Sequence, residues 1–64
     1  MHPAEVSLRD DIHNLTIYRV APRVIEIKRD IKYAFWHGFI NVYIYNELNE
    51  KLEEKRNSLF EQTY

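Results

Sequence analysis

There is no cysteine in this chain, so neither a disulfide nor a cysteine-ligated zinc can brace it. That lack weighs heavily because 64 residues make one small domain at most, and a domain of this size buries only about 60% of the surface its unfolded chain exposes. Small folds usually add a covalent or metal brace, or associate. Association is the support left, and residues 1–64 are expected to form a single domain that is not self-sufficient. Glycine is nearly missing too: Gly38 stands alone, which rules out a phosphate-cradling loop and leaves too little turn chemistry for a β-meander.

Charge of one sign is also in short supply. The formal net charge is -1, with six basic against five acidic groups in residues 1–32 and three against five in residues 47–64. The densest basic stretch, Arg19, Arg23, Lys28, Arg29 and Lys32, is interrupted by Glu26 and Asp30. Neutralising a phosphate backbone takes a clustered excess of cations, so no nucleic-acid partner is expected. No apolar run suits a secretory signal, because Glu5, Arg9, Asp10 and Asp11 fall where its h-region would lie. The chain is expected to keep its N-terminus and to be cytoplasmic or membrane-associated.

The residues that carry chemistry are sparse and poorly grouped. His2, His13 and His37 have no second histidine or cysteine at ligand spacing, and Asp10 with His13 at i,i+3 supplies two ligands where a site needs three or four. Ser7, Ser58, Thr16 and Thr63 lack the sharp glycine turn that exposes a nucleophile. Asp10-Asp11 and Glu53-Glu54 diverge as helix neighbours. Asn14-Leu15-Thr16 fits a glycosylation sequon but has no secretory context. The expectation is a non-enzymatic protein without catalytic, cofactor-binding or metal-binding residues.

Hydrophobic periodicity predicts a small all-α fold of two or three helices, at about 7–19, 22–36 and 39–61. Ser7-x-x-Asp10 resembles a capping box, with Leu8, Ile12 and Leu15 following at spacings of four and three. Ala21-Pro22 should end that helix, and Pro22 suits the first turn of the next. Val24, Ile27, Ile31, Ala34 and Phe35 keep helical spacing up to Gly38, the natural residue to follow a helix end. Beyond Asn46, Leu48, Leu52 and Leu59 share a face, with Glu47–Lys51 and Glu53–Arg56 spaced for helix-surface ion pairs. The alternative is a β-hairpin over 31–45 plus a C-terminal helix, with Ile40, Val42 and Ile44 alternating after a His37-Gly38 turn.

Ile17-Tyr18-Arg19 resembles the Leu-Tyr-Arg signature of small helical mitochondrial assembly and accessory subunits, and Arg23 and Phe35 echo the Arg and Phe that follow it there. The leading Leu is replaced, and Pro22 stands where that family continues its helix. No function is carried over from it.

What the sequence has in excess is "YAFWHGFINVYIY", residues 33 to 45, inside a run from 33 to 46 without Asp, Glu, Lys or Arg. On a continuous helical wheel Tyr33, Trp36, Ile40, Tyr43 and Ile44 fall away from the Val24–Ile27–Ile31–Phe35 face, so one packing partner cannot cover both sets. Aromatic residues are enriched in interface cores. The leading expectation is therefore a helical protein-interaction module, an accessory or assembly subunit or a small regulator. Its partner is another protein chain, in a homodimer or a larger heteromeric complex. Tyr33, Trp36, Phe39, Ile40, Tyr43 and Ile44 are the expected contact residues. The alternative is a small membrane-associated subunit holding a short apolar segment, 31–48, in or at a membrane complex. That segment falls short of the roughly 20 apolar residues of a span.

Overall fold

Helix-period apolar spacing dominates the chain, and the fold follows it. The computed structural model, in which residues 2–61 are described, is all-α: α1 spans Pro3–His13, a 3₁₀ turn spans Ile17–Arg19, α2 spans Val20–Trp36 and α3 spans Val42–Glu61. No strand occurs among the described residues, so the hairpin alternative is not formed. Thr63-Tyr64, terminal residues that the sequence alone predicts to fray, lie outside the described residues.

The boundaries differ from expectation for local reasons. Helix α1 starts four residues before Ser7, because Pro3 occupies its first position and the His2 imidazole Nδ1 accepts the Ala4 N–H at 3.0 Å. A proline costs nothing at a helix start, where its missing N–H would have had no partner. Ser7 therefore lies inside the helix, and the capping box is not used. The helix stops at His13 rather than at residue 19, since Thr16 is extended (φ -120°, ψ 164°). Pro22 does not delay α2, which begins at Val20. Pro22 is its third residue, still within the first turn, and Tyr18, four residues back, lies in the separate 3₁₀ turn.

The end of α2 is the best-specified joint. Gly38 has φ 73°, the Gly38 N–H donates to the Phe35 carbonyl at 3.1 Å, and the Phe39 N–H donates to the Ala34 carbonyl at 2.9 Å. Together these bonds form a Schellman motif. Helix α3 opens later than residue 39: Asn41 Oδ1 accepts the Ile44 N–H at 2.9 Å, making Asn41 the cap and Val42 the first helical residue. A Cβ added at Gly38 meets nothing within 4 Å, so its conformational penalty acts alone. Gly38→Ala is expected to lower stability by about 1 kcal/mol, and Gly38→Asn by less, because asparagine tolerates the left-handed region. Urea-unfolding midpoints measure both.

The three helices meet along one core. Leu8 and Ile12 of α1 and Leu15 beyond it join Val20, Val24, Ile27, Ile31 and Ala34 of α2, Ile40 of the turn, and Leu48 and Leu52 of α3. Of these, Ile27, Ile31, Leu48 and Leu52 are fully inaccessible. Helices α2 and α3 run antiparallel, with Phe35 against Tyr45 at one end (ring centroids 4.7 Å apart) and Lys28 paired with Glu53 at 2.9 Å further along. Helix α1 is tied to both: Arg9 bridges Glu5 and Glu47, and Arg23 reaches Asp11 at 3.3 Å. Glu47 thus pairs with Arg9 rather than with Lys51, whereas Glu53–Arg56 forms at 3.8 Å.

Candidate docking surface

The turn at Gly38 decides what the aromatic run becomes, because it cuts the run in two. Residues 33–36 close α2, residues 42–45 open α3, and the rings are distributed around the end of the bundle. Phe35 and Tyr45 turn inward, half-buried against the core. Ile40 is only 6% exposed and is a core residue. The expectation that it offers itself to a partner is corrected: the Schellman turn folds it under the helix ends. Ile44 is half-buried against the same core, so it too belongs mainly to the fold.

The remaining four face solvent. Tyr33 is 59% exposed, Trp36 75%, Phe39 39% and Tyr43 80%. They are not one helical stripe, as seven-residue spacing across an unbroken helix would make Trp36 and Tyr43. They are instead carried by two helix ends and the turn between them. Val42, exposed on the first turn of α3, extends the patch. Sequence periodicity missed Val42, which the hairpin alternation had placed beside Ile40 and Ile44.

Part of this surface is ordered by ring stacking. The Tyr33 ring lies 4.1 Å from that of His37, which lies 5.8 Å from Phe39, and the Phe39 ring also stacks with His2 at 4.5 Å with the planes 13° apart. His2 thus caps α1 with one nitrogen while its ring covers Phe39. Beside this ladder runs an open groove of about 230 Å³ between α1 and α2, lined by Ala4, Ser7, Leu8, Asp30, Tyr33 and Phe39. By contrast, Trp36 and Tyr43 stack on no other ring among the described residues. They are large, mostly exposed side chains without a ring partner among the described residues.

The polar surroundings are ordinary surface electrostatics. Hydrogen bonds from Arg9 to Glu47 and Glu5 raise its guanidinium above the usual range. A hydrogen bond to Glu26 does the same for Arg23. The Lys28 ammonium, by hydrogen bond and charge, holds the Glu53 carboxyl below the usual carboxylate range. A depressed carboxyl contributes stability at neutral pH that is lost as pH falls through its folded value, and for this exposed pair the contribution is small. Among the described residues no three His, Asp or Glu side chains converge as a metal site. No helix among them is long and apolar enough to cross a membrane.

No family model matches this chain, and comparison with curated proteins and with solved structures found no match. The Leu-Tyr-Arg resemblance gains no support from these comparisons. The structure also places Ile17–Arg19 in a 3₁₀ turn rather than within a helix.

Proposed function

We propose that the chain is a non-enzymatic protein-interaction module that docks through the aromatic end of its bundle, with Trp36 and Tyr43 as anchors and Tyr33, Phe39 and Val42 around them. The observation that carries this reading is the exposure of Trp36 and Tyr43 in a chain whose own core is complete without them. Burying each such side chain is worth about 1.5 to 3 kcal/mol, and several large apolar side chains exposed at one end of a small fold are the kind of surface that interaction sites use. The backbone supporting the anchors is fixed by the Gly38 turn and the Asn41 cap, so the surface is preorganised and little conformational freedom is lost on docking.

The membrane reading fits the geometry less well. Segment 31–48 does not form one helix, and its polar turn residues His37, Gly38 and Asn41 sit at its centre.

A photoreactive phenylalanine analogue placed at position 43, and separately at position 55 as a control, tests the proposal in the cell that makes the protein. A cross-linked adduct of defined mass is expected from position 43, lost when Trp36→Ser is added, and absent from position 55. Equal labelling from both positions, or an adduct indifferent to Trp36→Ser, overturns it.

A further inference from the structure

A docking surface needs an occupant, and the charge pattern along α2 and α3 selects one. Helix α1 covers one side of the α2–α3 pair, held there by Arg9–Glu47 and Asp11–Arg23. Among the described residues nothing covers the opposite side. On it α2 presents Ile25, Arg29, Lys32 and Trp36, a stripe at i, i+4, i+7 and i+11, and all four are exposed. On α3 the spacing i, i+4, i+8, i+11 and i+15 puts Val42, Asn46, Glu50, Glu53 and Asn57 on one stripe, which the Lys28–Glu53 pair sets beside α2 on this side, with Phe60 at its far end. The two helices therefore form parallel ribbons, one cationic and one acidic, with apolar residues at both ends. Among the described residues no ion pair engages Arg29, Lys32 or Glu50.

Such a surface is complementary to itself under one kind of two-fold axis. With the axis parallel to the helices, α2 of one copy falls on α3 of the other, antiparallel to it and at its own level. The Lys28–Glu53 and Phe35–Tyr45 contacts fix those levels. Lys32 then meets Glu50 of the second copy, Arg29 meets its Glu53, Trp36 meets its Val42 and Asn46, and Ile25 meets its Asn57 and Phe60. With the axis perpendicular to the helices, α2 would lie on α2 and α3 on α3, setting cation against cation and glutamate against glutamate, an arrangement like-charge repulsion disfavours.

We infer that the partner is a second copy of this chain, bound through the α2–α3 face in an isologous dimer whose two-fold runs along the helices. This rests on the part of the docking proposal that Trp36 and Val42 carry, leaves Tyr43 at the edge of the contact and Tyr33 and Phe39 on the α1 side outside it, and adds the identity and orientation of the partner. Helix α2 has 17 residues and is about 25 Å long, which limits the contact to the order of 1,000 Å² in total, the size of reversible assemblies. Dissociation in the micromolar range is expected.

Sedimentation equilibrium of the full chain, from about 1 µM to about 500 µM as suits contacts of this size, tests the inference. The wild type, Lys32→Glu, Glu50→Lys, the double variant and an equimolar mixture of the two single variants are compared. The wild type is expected to dimerise, and each single reversal to weaken it at least tenfold, because the symmetry makes each change count twice. The double variant and the mixture should both recover to within about threefold, since each re-pairs opposite charges across both symmetric contacts. Positions 32 and 50 are exposed, so folding is unaffected, and circular dichroism checks that. A wild type that stays monomeric throughout the range overturns the second copy, while a different chain captured from position 43 keeps the docking surface. Dimers indifferent to the reversals yet lost in Trp36→Ser overturn the two-fold arrangement and likewise leave the docking surface standing.

Discussion

Leu52→Asp is expected to unfold the protein. Leu52 lies at the middle of α3 with no accessible surface, among Ile27, Ile31 and Leu48, which are equally enclosed. Removing its side chain alone forfeits transfer energy and leaves a cavity, which together cost about 2 to 5 kcal/mol. The introduced carboxylate adds a desolvation penalty, since no buried polar or charged residue exists among the described residues to pair with it. A single core in a chain of this length rarely supplies more than about 3 to 5 kcal/mol in all, so the combined loss exceeds what the fold holds. The helical circular-dichroism signal should collapse and the cooperative thermal transition should vanish. Leu59→Asp is the control, because Leu59 is only partly buried near the end of α3. It should lower the midpoint without abolishing the transition. A Leu52→Asp variant melting cooperatively within about 5 °C of wild type, roughly 1 kcal/mol for so small a domain, would show that α3 does not pack where the structure puts it.

The four fully enclosed residues were legible in the sequence because they repeat. Ile27, Ile31, Leu48 and Leu52 lie on two apolar stripes of helical period, and each stripe was bounded by polar residues on its other face. Gly38 was legible for a different reason: it is the one residue able to take φ 73° without strain, and it stands where the α2 stripe ends. The helix starts were harder to read. At Ser7 a capping pattern was present but not used, because Pro3 with the His2 imidazole opened the helix earlier. At Ala21 the bias against a helical residue before proline was outweighed by three residues of 3₁₀ turn that kept the Pro22 ring clear of a preceding helical carbonyl.

The docking residues were legible in part. Tyr33, Trp36, Phe39 and Tyr43 do fall outside the core, but the wheel that singled out Tyr33, Trp36 and Tyr43 assumed a helix through Gly38, and that assumption also swept in Ile40 and Ile44. A residue just beyond a Schellman turn is aimed by the turn and not by the helix period, so Ile40 goes inward. The charged ribbons were hidden by averaging. Arg29 and Lys32 lie in a stretch interrupted by Asp30 in sequence, yet Asp30 faces the α1 groove while the two cations share the outer stripe with Ile25 and Trp36. Only the position of α1 shows which side of the pair is left open.

Replacing both Trp36 and Tyr43 by Ser separates the surface from the fold. Because the two side chains are 75% and 80% exposed in the free chain, their loss should change unfolding free energy by about 0.5 kcal/mol or less, as for other surface substitutions. As docking anchors they should each contribute about 2 kcal/mol or more, so association with a chain that covers both should weaken by about 4 kcal/mol, close to a thousandfold; in the two-fold dimer Trp36 counts once from each copy and gives the same sum. Denaturant midpoints give the first quantity. Sedimentation equilibrium, or affinity for whatever chain is cross-linked from position 43, gives the second. Phe35→Ser should behave in the opposite sense, since the half-buried Phe35 stacks on Tyr45 inside the α2–α3 seam. It should weaken the fold first and association only through the fold. The contrast between the two variants is decisive because aromatic rings are lost in both, from exposed positions in one and from the α2–α3 seam in the other. A Trp36→Ser/Tyr43→Ser protein that still associates within about tenfold of wild type, 1.4 kcal/mol, would mean that the exposed aromatic end is not where this protein meets its partner.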